Sequence, residues 1–307
     1  MDVLDYRDLI DDETWKFIRT TALHMPPDSA GLPLDEQRAL HDEMCRAFRA
    51  ELPEGVILKD QDFAGVPGRI HESALVRGSV IYLHGGGFIH GSLDGQDDIC
   101  AEIAAATGLR VISLGYRLAP EHPHPAAFQD VLTGALAVSR AFPGPLVLVG
   151  EDAGGSLAAS AAHALRGRVA LAGLVLVYPG LGGRRDRGSY LAHASAPLLG
   201  LQDVAMTAAL RHDGREPAAD PTADALRDTD FRGLPPCLIV TAQCDPVSDD
   251  GRAYRDAIRA AAGRARWIEE PGLVHGFLRA RHRSARAGAS FARILAAIGA
   301  MAQGKSV

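Results

Sequence analysis

The sequence has no run of about 18 uninterrupted apolar residues, no excess of positive charge and no closely spaced cysteine pair. Each absence removes a class of function. Nothing in it reads as a membrane-spanning helix, and the start "MDVLDYRDLIDDETWKFIRT" lacks the basic and apolar regions of a secretory signal, so a cytoplasmic protein is expected. Thirty-two Lys and Arg against 38 Asp and Glu leave a net charge of -6, which offers no footprint for nucleic acid or an anionic membrane surface. The four cysteines, Cys45, Cys100, Cys237 and Cys244, lie far apart without CxxC spacing. That argues for buried free thiols and against a metal or redox centre. Neither the P-loop nor the dinucleotide fingerprint is present, so no cofactor is expected.

The 307 residues, 47% hydrophobic, are enough for one large soluble domain with a substantial core. From about residue 70, short β-branched runs alternate with Ala-rich stretches of helical length. Strands are predicted at 79–83, 110–116, 145–150, 173–179, 236–242 and 265–270, and helices at about 97–107, 126–142, 154–167, 249–262 and 285–302. Most of the strands are almost continuously apolar, as in a parallel sheet covered on both faces. Two regions break the rhythm. Residues 1–55 are polar with helical spacing, and 181–226 interrupt the alternation after a strand. An insertion of that length suggests a lid, so 1–55 and 181–226 are expected to pack together as a cap over a core of 56–180 and 227–307.

In an open parallel sheet the ligand site lies beyond the carboxyl ends of the strands. Three loops there carry reactive residues. Gly150-Glu151-Asp152-Ala153-Gly154 joins a strand to a helix, with glycines on both sides of position 152, as in the sharp turn that presents a hydrolase nucleophile. His84-Gly85-Gly86-Gly87-Phe88 can aim backbone N–H groups into a cavity and, with Ala153, form an oxyanion hole. Asp245 in "CDPVSD" and His275 in "LVHGF" follow in the order nucleophile, acid, base.

These pieces resemble the hormone-sensitive-lipase-like branch of the α/β-hydrolases. "HGGGF", "YRLAPEHPHPAA", "GEDAGG", "YPGL", "CDPVSD" and "HGF" occur in that family's order over residues 75–280. The resemblance implies an α/β-hydrolase fold, oxyanion-hole amides from Gly86, Gly87 and Ala153, Asp245 orienting His275, a helical cap, and a dimer through the last strand as the assembly to test. It also exposes a departure: Asp152 stands where the family has serine.

Ser156 is no substitute, since it lies about one helical turn, roughly 6 Å, along the helix from the elbow. A carboxylate at position 152 should be ionised, being at a helix N-terminus and beside His275. Such a group displaces well at an alkyl carbon and poorly at an acyl carbon. The expected function is hydrolysis of a small carboxylic ester, lactone or related electrophile by Asp152, His275 and Asp245. The alternatives are an epoxide hydrolase, with Tyr190 as the leaving-group acid; a lyase or isomerase; and a binding protein whose Asp152 fills its own oxyanion hole. Phe88 and Tyr190 are candidate substrate contacts, although a lone cap tyrosine more often serves packing. Trp15 and Trp267 lie in no loop suited to binding a halide. His84 is expected to be structural, Tyr116 to brace the loops, and Asp97, Asp98, Asp249 and Asp250 to be helix-start residues, with Asp249 also able to hold the His275 loop.

Overall fold

Apolar runs too continuous to leave either face in water form the centre of the sheet. A computed structural model describes residues 5–73, 76–215 and 219–305. Strands β1 (Ile57–Asp62), β2 (Pro67–Glu72), β3 (Ser79–Leu83), β4 (Arg110–Leu114), β5 (Leu146–Glu151), β6 (Leu171–Val177), β7 (Cys237–Cys244) and β8 (Ala265–Val274) make one sheet in the order β1-β2-β4-β3-β5-β6-β7-β8. The ladders from β4 through β8 are parallel, and β1 and β2 add an antiparallel edge. Every residue of β3 and β5 is buried, as expected of central strands with helices on both faces.

The pleat divides the core in two. Val80, Val111, Val147 and Val149 face α3 (Asp97–Thr107) and α9 (Ala285–Ala302), meeting Ile99, Ile103, Ile294 and Ile298. Ile81, Leu83, Ile112 and Leu148 face α4 (Ala126–Ala141), α5 (Asp152–Leu165) and α8 (Ser248–Ala260), meeting Val131, Leu157 and Ile258. Successive residues of one strand thus serve opposite layers.

The six predicted strands and five predicted helices are all present, within a few residues at their ends. The hairpin β1-β2 is an addition. Its sequence "ILKDQD" is polar because β1 is the sheet's edge, with no residue of that strand fully buried, so it carries no apolar run to read. The polar N-terminal region forms α1 (Asp12–His24) and α2 (Leu34–Phe48); Phe17 and Ile18, and Met44, Cys45 and Phe48, are its buried stripes. Between β6 and β7 lie α6 (Ser189–Ala192) and α7 (Leu201–Arg211). The four cysteines are free and buried.

Two aspartates do more than start a helix. Asp97 takes ion pairs from Arg69 at 2.9 Å and Arg49 at 3.1 Å and contacts His71, while Asp98 pairs with Arg281 at 2.5 Å. They therefore tie α3 to β2, to the chain after α2 and to the segment after β8.

Candidate active site

Close packing at the end of β5 sets the elbow. A Cβ on Gly154 would lie 2.1 Å from the Leu83 carbonyl oxygen, so only glycine lets α5 approach β3 this closely. Asp152 takes the turn with φ of 50°, a left-handed conformation costing an L-residue roughly 1–2 kcal/mol. The strain aims its side chain at the loop after β3.

That loop turns through Gly86, with φ of 116°, where a Cβ would meet the His90 carbonyl oxygen at 2.4 Å. Its amides converge on one atom. Asp152 Oδ2 accepts from Gly86 N–H at 2.7 Å and Gly87 N–H at 2.8 Å. Among the described residues, Ala153 N–H makes no hydrogen bond to this carboxylate, so the occupied hole has two donors rather than the expected three. His84 braces the loop as expected: its Nδ1 lies 2.7 Å from the Gly85 carbonyl oxygen, its ring stacks on Tyr116, and the Tyr116 hydroxyl donates to the His84 carbonyl at 2.8 Å. Burial pushes its pKa down to about 4, keeping it neutral.

Asp152, His275 and Asp245 come together from three loops. His275 Nδ1 lies 2.8 Å from Asp245 Oδ2, and His275 Nε2 lies 3.3 Å from Asp152 Oδ1. Asp245 is fully buried and is held by Val247 N–H at 3.0 Å. Burial opposes a charge on His275, but the Asp245 charge and the hydrogen bonds to both aspartates overcome it and push its pKa up to about 10. Burial likewise opposes ionisation of Asp152, but His275 and the Gly87 and Gly86 amides hold it well below the ordinary carboxylate range. His275 is thus held toward its protonated form between Asp152 and Asp245.

Ser156 is spent elsewhere, its hydroxyl donating to the Gly180 carbonyl at 2.5 Å and the Asp152 carbonyl at 3.2 Å. Phe88 lines the cavity beneath the Arg211 guanidinium, 3.8 Å from its ring centre. Tyr190 also lines the cavity, yet its hydroxyl donates to Asp250 at 3.1 Å, which removes the acid that epoxide opening was expected to use. Asp250, whose pKa burial pushes up to about 6, also accepts from Leu181 N–H at 2.7 Å. Asp249 accepts from Ser189 N–H at 2.9 Å, so it holds the insertion rather than the His275 loop. Trp267 donates to Thr241 and Trp15 packs on the core, both away from the cavity.

Over these groups lies a cavity of about 620 Å³, within the usual range for small-molecule sites. Its walls include Phe17, Ile18 and Met44 from the N-terminal helices and Leu198, Val204 and Thr207 from the insertion. His41 and Arg279, also in the wall, were not anticipated. The one available signal for Arg279 was its place four residues after His275. Among the described residues, no cluster is suited to holding a metal ion, and no helix is long and apolar enough to cross a membrane.

Comparison with known proteins agrees with this geometry. Residues 80–279 match a family model described as the alpha/beta hydrolase fold. Carboxylesterase NlhH of Mycobacterium tuberculosis is 32% identical over 69% of this chain and 71% of its own. An ethyl acetate hydrolase of Pseudomonas putida is 30% identical over 81% of this chain and 84% of its own. Among solved structures, an esterase from the bacterial hormone-sensitive lipase family superposes with a TM-score of 0.86 at 27% identity, covering 94% of this chain and 98% of that one. A bacterial heroin esterase gives a TM-score of 0.86 at 27% identity, covering 98% and 99%. With its strand order, its glycine-built elbow and its matches pointing the same way, the chain belongs to the α/β-hydrolase-fold family, in the hormone-sensitive-lipase-like branch.

Proposed function

We propose that the protein is a hydrolase of a small carboxylic ester, lactone or related electrophile, with Asp152 as the nucleophile toward an alkyl carbon. One observation carries this reading. Asp152 Oδ2 is held by the Gly86 and Gly87 amides, leaving Oδ1 as the oxygen nearer His275. With the hole already filled by a carboxylate oxygen, a substrate carbonyl cannot enter as it would for serine chemistry. An alkyl ester of Asp152 would keep its own carbonyl oxygen in that hole.

The step runs as follows for an ester. Oδ1 forms a bond to the alkyl carbon, the bond from that carbon to the ester oxygen breaks, and a carboxylate leaves. Esterified Asp152 is neutral, so His275 loses one of its two anionic partners and releases its proton to solvent. It then takes a proton from water, hydroxide adds to Asp152 Cγ, and the oxyanion forms on Oδ2 against the two amides. Collapse expels an alkoxide, which takes the proton from His275, and the regenerated Asp152 carboxyl passes its own proton to His275 to restore the resting pair. Asp245 holds the imidazole throughout. An epoxide would form the same intermediate, but the Tyr190 hydroxyl donates to Asp250 and offers no ready acid.

Labelling tests this. After turnover in ¹⁸O-water, mass spectrometry of the Asp152 peptide should show label, and the released carboxylic acid should carry none. Label in the acid alone would make Asp152 a base or water-orienting group. The occupied hole favours one second reading, a non-catalytic binder, for which no turnover would occur with any ester, lactone or epoxide. Replacing Asp152 by Ser frees the hole, and hydrolysis of p-nitrophenyl acetate should rise about a hundredfold, the scale of a restored oxyanion interaction.

A small-molecule ligand is the partner this cavity suits. We assign the cap to residues 1–55 and 181–226, both of which supply cavity wall. Four free thiols suit a reducing compartment, which supports a cytoplasmic location.

A further inference from the structure

Arg279 lines the same cavity as Asp152 and is not fully exposed, yet its guanidinium makes no hydrogen bond or ion pair with any described residue. The contrast with the other arginines is what makes this informative. Those that are similarly sheltered all have acceptors: Arg38 pairs with Glu121, Arg69 with Asp60, Arg110 with Glu72, Arg166 with Asp228, and buried Arg281 with Asp98. A guanidinium has five N–H donors, and sheltering it without acceptors is costly. The groups nearest in charge do not supply one. Glu151 lies beyond ion-pair distance and accepts from the Tyr178 hydroxyl, and Cys45 faces His41 at 3.7 Å.

We propose that Arg279 binds an anionic group of the ligand, a carboxylate, so that the substrate is an acid-bearing ester or lactone such as the half-ester of a dicarboxylic acid. A planar carboxylate matches the guanidinium fork by two parallel hydrogen bonds. The charge count favours a monoanion. Glu151, Asp152, Asp203 and Asp224 line the cavity and Asp245 lies behind His275, against Arg185, Arg211, Arg279 and the His275 imidazolium, so the acidic groups outnumber the cations and a phosphate dianion meets more repulsion than a carboxylate. The apolar walls from Phe17, Ile18 and Val204 then take the carbon chain.

The proposal rests on the cavity being the ligand site, but its test does not need turnover. Calorimetric titration of the intact protein with monomethyl adipate and with dimethyl adipate compares charge at nearly constant shape. The half-ester should bind at least about tenfold more tightly at low salt. Arg279→Met should abolish that preference while diester binding stays within about twofold, and Arg279→Lys should restore part of it. Thermal melting of each variant confirms that it is folded; if Arg279→Met is not, Arg279→Gln takes its place. Equal binding of the two esters, or a preference that survives in Arg279→Met, overturns the proposal. So does tighter binding of a matched alkyl phosphate. Binding of the half-ester without hydrolysis would leave Arg279 recognition standing and remove only the catalytic reading.

Discussion

Around Asp152 the backbone leaves almost no freedom: a Cβ at Gly154 would lie 2.1 Å from the Leu83 carbonyl, one at Gly86 2.4 Å from that of His90, and Asp245 is fully buried. Across the cavity, Met206 on α7 is 42% exposed. The floor is built from main chain that tolerates one residue type at each turn. The roof is built from side chains on short helices. The reacting groups are therefore held by glycines whose replacement breaks the fold, and selectivity depends on positions where substitution changes only shape.

The floor can be broken most severely at its tightest contact. Gly154→Val should cost more than about 4 kcal/mol, enough to prevent folding, because the elbow and β3 would have to separate. Circular dichroism melting checks it; a variant with unchanged melting would show that this packing does not hold the elbow.

Asp152→Asn acts on the same floor without adding bulk. The amides of Gly86 and Gly87 keep an acceptor, but His275 loses a charge partner. Its pKa, pushed up to about 10 in the folded protein against an ordinary 6.5, should fall. A raised folded pKa stabilises the protein in full below pH 6.5, and that gain is lost as pH rises through about 10. In Asp152→Asn the loss still begins near pH 6.5 but should be complete at lower pH, and stability at neutral pH should drop by about 1–3 kcal/mol. Imidazole proton shifts against pH, with melting curves at pH 6 and 9, measure both; an unchanged His275 titration would refute the ion pair.

In the roof, Val204→Phe should narrow the cavity and raise KM for longer-chain ligands about tenfold, with kcat for short ones unchanged. A fall in kcat for short substrates would mean that the roof also sets the reacting geometry. The smallest effect belongs to Leu23→Ser, which should change stability by less than about 0.5 kcal/mol because its side chain is already in water.

What could be read before the structure follows the same division. The central strands were legible because burial on both faces demands an unbroken apolar run, and β1 was missed because an edge strand does not. Asp152, Asp245 and His275 were legible from their turns, and the structure places His275 3.3 Å from Asp152 and 2.8 Å from Asp245. The partner of the Tyr190 hydroxyl was not legible, because a side chain's partner is not encoded near it in the chain. Asp250, which accepts its hydrogen bond, is 60 residues away.

By itself the sequence determined the fold, the strand-end loops and the identity of the group at the elbow, since local glycine spacing and apolar periodicity act over a few residues. Only the tertiary structure decided that Asp152 fills the oxyanion hole, that two aspartates push the His275 pKa up, and that Arg279 stands in the cavity wall without an acceptor among the described residues. Those facts depend on distances between loops far apart in the chain, and on how much water each charge has lost.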